Sequence, residues 1–260
     1  MVELERVRDL LETMNLKTAA ELLDAQLERS LKTEDTYLSF ILKLLTLEDT
    51  ERKRRNEEMR IKMSRLPHRK TLDEFEFDFQ PGIDKRQIDE LATLAFVARA
   101  ENVILLGPPG VGKTHLAVGL AMQALISGMS VYYAGISLII ADLKKAQEQN
   151  RLERRWRVYL RPDILIIDEV GYLQLNRAEA ELLFRLISER YEHGSVILTS
   201  NKFFSDWGEL MSDNVVATAM LDRLLHHAHV VNIRGNTYRL KGRRKTGVIL
   251  SPPASVPASG

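Results

Sequence analysis

The residues best placed to do chemistry form a Gly-x-x-x-x-Gly-Lys-Thr run through Gly107, Pro108, Pro109, Gly110, Val111, Gly112, Lys113 and Thr114, followed by His115. Glycines at this spacing let successive backbone N–H groups converge on phosphate oxygens, and a helix starting after them adds its partial positive charge. Lys113 then reaches the outer phosphates as a point charge, and Thr114 offers a hydroxyl to a magnesium ion. His115 completes the nucleotide-binding segment as a packing residue with no chemical role. A second constellation lies in DILIIDEV, where Asp168 and Glu169 end an apolar run. A strand buried on both faces does not tolerate charge, so the pair must emerge at its C-terminal edge, where open parallel sheets bind ligands. Phosphoryl transfer to water needs positioning, charge neutralisation and one group to orient the nucleophile. Asp168 suits the magnesium shell and Glu169 the attacking water. SVILTSN adds Asn201, which could hold that water if its strand neighbours the strand before the loop. The ligands expected from these residues are ATP and Mg2+.

The elements that must carry them are legible as short apolar runs at 103–106, 131–134, 164–167, 196–199 and 230–233, with helical segments between. That alternation predicts an α/β fold with a parallel sheet and crossover helices. Ahead of it, a helix is expected from about 85 to 99. Residues 3–64 read as helices, with Leu16, Ala19, Ala20, Leu23, Leu27 and Leu31 at helical spacing, Asn15 and Thr33 as N-caps and a break at 32–35. The sequence thus divides into a helical N-terminal domain at 1–70 ending in a basic helix at 48–63, an ATPase domain at 71–245 and a disordered tail at 246–260. The acidic, aromatic stretch LDEFEFDFQPG at 72–82 marks the first boundary, since Pro-Gly and a reversal of charge sign are linker signals.

A net charge of +1 conceals two basic flanks around an acidic centre. Nine Lys or Arg face two Glu between 52 and 70, and six basic residues and no acid lie between 234 and 245. The span 71–233 holds 16 basic and 22 acidic residues, 16 − 22 = −6. Such flanks are candidate polyanion contacts, and Arg52, Lys53, Arg54, Arg55, Arg60 and Lys62 on the first and Arg243, Arg244 and Lys245 on the second are the candidates for duplex DNA. The chain has no cysteine, which excludes a disulfide framework and any Cys-ligated metal. No apolar stretch is long enough to span a bilayer and the N-terminus lacks a signal-peptide pattern. The expectation is a cytoplasmic protein without a membrane partner.

GPPGVGKTHLA, LIIDEVGYL, ILTSNKFFSDW and LDRLLHHAHVVNIRGNTYRLK, in this order, resemble the AAA+ ATPases of the DnaC and IstB branch, and most of all the IstB-type ATP-binding helpers of insertion-sequence transposons. The resemblance implies a sheet in AAA+ strand order, ATP at subunit interfaces of a ring or helical homo-oligomer, and ATP-dependent assembly on DNA in the service of a transposase. It assigns Arg223, in LDRLL, as an arginine finger given to the neighbouring subunit, Asn201 as the first sensor and Arg239, in NTYRL, as a nucleotide contact near a second sensor. The sequence after Arg239 shows no evident C-terminal helical lid. Two alternatives stay open: a DnaC-type loader of a replicative helicase, which shares nearly all these motifs, and a P-loop kinase for a small metabolite, which the Asp-Glu pair and the basic flanks disfavour.

Overall fold

The structure is a computed structural model that describes residues 2–235, 237 and 238. The chain divides into two compact units, Met1–Lys62 and Met63–Gly260. In the first, α1 (Val2–Thr13), α2 (Lys17–Lys32) and α3 (Tyr37–Met63) meet around Ala19, Leu23 and Leu44, with Leu4, Leu11, Leu16, Leu27 and Phe40 packed against them. Their apolar spacing is that of one helical face. The caps differ from those expected. Asn15 is left-handed (φ 56°), a conformation Asn tolerates where a helix ends, so it belongs to the end of α1, and Leu16 precedes α2 without a side-chain cap. Thr33 ends α2 with its N–H on the Arg29 carbonyl, and it is Thr36 whose hydroxyl accepts from Ser39 N at the start of α3.

Glu48 is buried in this unit and accepts from Ala19 N at 3.0 Å and from Arg55 at 3.0 Å. Arg55 also donates to Thr18 Oγ1 at 2.7 Å, and Arg52 donates to the Asn15 carbonyl at 3.2 Å. A buried carboxylate must be compensated by donors and positive charge, and these two arginines supply them. The structure therefore gives Arg52 and Arg55 internal work, unlike Lys53 and Arg54, whose ion pairs with Asp49, Glu51 and Glu58 are exposed and near their own helix.

The second unit follows as α4 (Lys85–Ala92), α5 (Ala95–Ala98), β1 (Asn102–Leu106), α6 (Lys113–Ile126), β2 (Val131–Gly135), α7 (Ile136–Glu148), α8 (Leu152–Leu160), β3 (Ile164–Val170), α9 (Arg177–Arg190), β4 (Ser195–Ser200), α10 (Trp207–Leu210), α11 (Asn214–His226) and β5 (Ala228–Asn232). The helix expected at 85–99 breaks into α4 and α5 because Leu94 turns left-handed (φ 63°). The five strands are all parallel, in the order β2-β3-β4-β1-β5. Every residue of β1 and β4 is buried, which requires cover on both faces of the sheet and explains why these strands read as unbroken apolar runs. The strand expected at 230–233 begins earlier, at Ala228, where it pairs with Asn102.

The stretch at 72–82 is not a spacer. Phe75 is buried, and just before the stretch the Thr71 carbonyl accepts from His115 Nε2 at 2.9 Å. Just before it, the Ser64 carbonyl accepts from Tyr133 N at 2.8 Å. Arg239, Arg243, Arg244, Lys245 and the tail at 246–260 lie outside the described residues.

Candidate functional site

Strand β1 ends at Leu106, and residues 107–112 carry the chain in a loop to α6. The last loop residue, Gly112, has φ +101°, and a Cβ there would stand 2.6 Å from the ring of Phe75. Only glycine satisfies both the left-handed backbone and the aromatic wall. Helix α6 consequently opens with no side-chain cap, which leaves its first turn suited to an anion. Lys113, 8% exposed, bends back to donate to the carbonyls of Gly107 at 2.7 Å and Pro108 at 2.9 Å. Its ammonium is thus held over the loop by neutral carbonyls.

Opposite the loop, Asp168 is 3% exposed at the end of β3. The Thr114 hydroxyl donates to its oxygens at 3.1 and 3.2 Å, Tyr133 OH donates to Oδ2 at 2.5 Å, and Thr199 Oγ1 donates to Oδ1. Burial and the neighbouring Asp168 push the Tyr133 phenol well above its ordinary value, so it stays a donor. At Glu169 the strand bulges: pairing with β4 slips between Ile167 and Val170, and Glu169 has φ 63°. A bulge re-aims a side chain through a local break in the ladder. Val170 returns to the core while Glu169 turns to solvent. A positive φ at a non-glycine residue costs on the order of 1–3 kcal/mol and persists where the surroundings enforce it. Here Glu169 N donates to Thr199 Oγ1 at 3.0 Å.

Because β4 pairs with β1, Asn201 comes to the same edge, next to Gly107, whose N–H donates to the Ser200 carbonyl at 3.1 Å. Asn201 Oδ1 is buried with no hydrogen-bond partner, and such a group calls for one. Gly112, Lys113, Thr114, Asp168, Glu169, Thr199 and Asn201 all border one cleft, together with Phe75, Tyr172 and Tyr238. Tyr238 closes one end, its N–H donating to the Gly110 carbonyl at 2.8 Å and its hydroxyl to Glu76 at 2.7 Å. His115 packs edge-on against Phe75 and faces His68, whose own pKa burial and His115 hold down. It fastens the 71–75 segment to α6 and also borders the cleft.

The donor set fits a triphosphate with magnesium. A buried lysine and an uncapped helix start answer the anion, a hydroxyl and a carboxylate offer the hard oxygens magnesium prefers, and the unpartnered Asn201 oxygen borders the same space. Beside this site, the chain compares directly with known proteins. A family model, IstB-like ATP binding protein, matches residues 9–246. The chain belongs to this family. It is 50% identical over 240 residues to the ATP-binding protein of insertion sequence IS21 from Pseudomonas aeruginosa, covering 92% of this chain and 91% of the relative. Among solved structures, the DnaC helicase loader superposes with a TM-score of 0.50 at 21% identity, over 57% of this chain and 87% of that one. The replication initiator DnaA bound to AMPPCP and single-stranded DNA gives a TM-score of 0.56 at 19% identity, over 70% of this chain and 55% of that one. These likenesses show the AAA+ P-loop fold for the α/β unit.

Arg223 stands elsewhere. It lies on α11, donates to the Ala219 carbonyl at 3.2 Å and stacks over the Phe184 ring at 4.7 Å, and it does not border the cleft of its own chain. The residues that sequence reasoning missed are Tyr133, Thr199, Phe75 and Tyr238. Thr199 had a visible signal as a hydroxyl inside an apolar strand. Another unmarked feature is α8 and its two flanking residues, where Arg151, Arg154, Arg157 and Arg161 recur at helical spacing, all exposed and with no ion pair among the described residues.

Proposed function

We propose that this chain is an ATP-hydrolysing, DNA-binding helper of an insertion sequence, which assembles with copies of itself on duplex DNA and directs the transposase of the same element to it. The observation that carries the reading is the split of the acidic pair: Asp168 buried against Thr114, and Glu169 turned out of the sheet by a bulge at the mouth of the same cleft. A nucleotide-binding site alone has no need of the second, strained carboxylate. Lys113 and the start of α6 hold the outer phosphates, and Thr114 with Asp168 hold magnesium. The ion, when bound, neutralises charge on the phosphates. Glu169 accepts a hydrogen bond from the attacking water and takes its proton as the water oxygen bonds to the γ-phosphorus and the bond to the β–γ bridging oxygen breaks, leaving ADP and phosphate. Asn201, just past β4, orients the water. Arg223, absent from its own cleft, is available to the site of an adjoining copy.

The DNA reading draws on exposed cations. Lys53, Arg54 and Lys62 on α3 and the four arginines on and flanking α8 all face solvent, and surface pairs such as those of Lys53 and Arg54 hold side chains only weakly. Membership in the IstB-like family and 50% identity to an IS21 protein favour a transposase partner over a helicase. No described helix is long and apolar enough to cross a membrane. The test is steady-state ATP hydrolysis measured beside nucleotide binding. Lys113→Ala is expected to lose tight ATP binding. Glu169→Gln is expected to bind ATP and magnesium as the parent does while turnover falls by about two orders of magnitude or more. An unchanged rate in Glu169→Gln removes it from catalysis.

A further inference from the structure

Asp168 receives a hydroxyl from each strand beside β3. Directly opposite it on β2 stands Gly135, which has no side chain to offer, whereas Tyr133, two residues earlier and so on the same face, spans the distance with its ring and donates to Oδ2 at 2.5 Å. From β4, Thr199 donates to Oδ1 and also accepts from Glu169 N. We propose that Tyr133 and Thr199 are positioning residues for the magnesium site, clamping the two Asp168 oxygens from flanking strands so that the carboxylate stays turned toward Thr114. The inference rests on the magnesium and ATP reading of the cleft and adds residues no motif assigns.

An ionised carboxylate has about four lone-pair positions. The clamp takes one on each oxygen, and the Thr114 hydroxyl lies against both oxygens at 3.1 and 3.2 Å on the phosphate-loop side. That side is where a cation between Thr114 and Asp168 would be met. Without the clamp, an aspartate can turn about two torsions, and ordering it on binding costs affinity. Groups that fix a metal-binding side chain in this way typically change metal affinity by about 10- to 100-fold when removed. Thr199 has a second consequence, because one hydroxyl joins the backbone of Glu169 to the side chain of Asp168. The metal-side acid and the water-side acid therefore share a common anchor.

Tyr133→Phe and Thr199→Val each delete a hydroxyl with little change of shape. The full chain would be loaded with a non-hydrolysed ATP analogue and titrated with Mn2+ in place of Mg2+, reading free Mn2+ by electron paramagnetic resonance. Affinity for a fluorescent ATP analogue in excess EDTA would be measured separately. Both variants are expected to weaken Mn2+ about tenfold with the EDTA affinity unchanged, and Thr199→Ser, which keeps the hydroxyl, to behave like the parent. Parental Mn2+ affinity in both deletions overturns the clamp, as does a loss matched by an equal loss in EDTA, which marks a purely structural role. If Tyr133→Phe does not fold, the Thr199→Val and Thr199→Ser pair decides by the same criteria. A parent chain that binds no nucleotide overturns the cleft reading itself, and the clamp with it.

Discussion

Two residues beyond Glu169, Gly171 adopts φ +112°, and a Cβ there would lie 2.5 Å from Asn201 Oδ1 and 2.7 Å from Lys202 Cγ. Gly171→Ala must therefore strain the backbone and displace Asn201 together. ATP affinity is expected to stay within about twofold, because the phosphate loop is untouched, while turnover falls about tenfold, a barrier increase of about 1.4 kcal/mol. Parallel measurement of binding and hydrolysis checks this, and equal losses in both would point to general unfolding of the cleft. Lys113, Thr114, Asp168 and Glu169 were legible in the sequence because their chemistry is written at fixed local spacing. Tyr133 and Thr199 were not, since they reach Asp168 across strand pairings whose register no local pattern specifies. Arg52 and Arg55 read as candidate DNA contacts because the burial of Glu48, which claims them, is a property of helix packing that no local pattern signals.

At the level of elements, Arg190 ends α9 and joins three segments of the α/β unit. It is 2% exposed and donates to the carbonyls of Tyr159, Leu160, Pro162, Asp163 and Ser195. Burial lowers its pKa to about 10, still far above neutrality, so the guanidinium remains charged. Arg190→Met keeps much of the volume but strands those acceptors, and buried unpaired groups cost about 1–3 kcal/mol each. A loss of roughly 3 kcal/mol or more is expected in urea unfolding, against near-parental stability for Arg157→Met at an exposed position of α8. Strands β1, β3 and β4 were readable as elements because burial on both faces leaves them almost wholly apolar. Their ends were less so: β5 starts at Ala228 through pairing with β1, and the 85–99 segment breaks at Leu94, neither of which its own composition signals. The 72–82 stretch reads as a boundary since acids and Pro-Gly are linker signals, yet its Phe75 is buried and walls the cleft.

For the whole molecule, the account requires that copies act together on DNA. Arg223→Ala chains are expected to bind nucleotide normally and hydrolyse it poorly in the assembled form. Mixed with Lys113→Ala chains they should recover part of the ATPase, each lending the other an intact half-site, whereas no recovery at any ratio argues against a shared site. Each phosphate neutralised by Lys or Arg contributes a slope of about −0.9 in log affinity against log salt. Replacing Lys53, Arg54 and Lys62 with alanine, which spares the Glu48 network, should flatten that slope for unrelated duplexes alike. The most direct measurement is the affinity of the full chain for a duplex across a salt series with a non-hydrolysed ATP analogue, with ADP and with no nucleotide, beside Lys113→Ala. Tight, steeply salt-dependent binding is expected only with the ATP analogue, and is expected to be lost in Lys113→Ala. Equal affinity in all nucleotide states, preserved in Lys113→Ala, would contradict it.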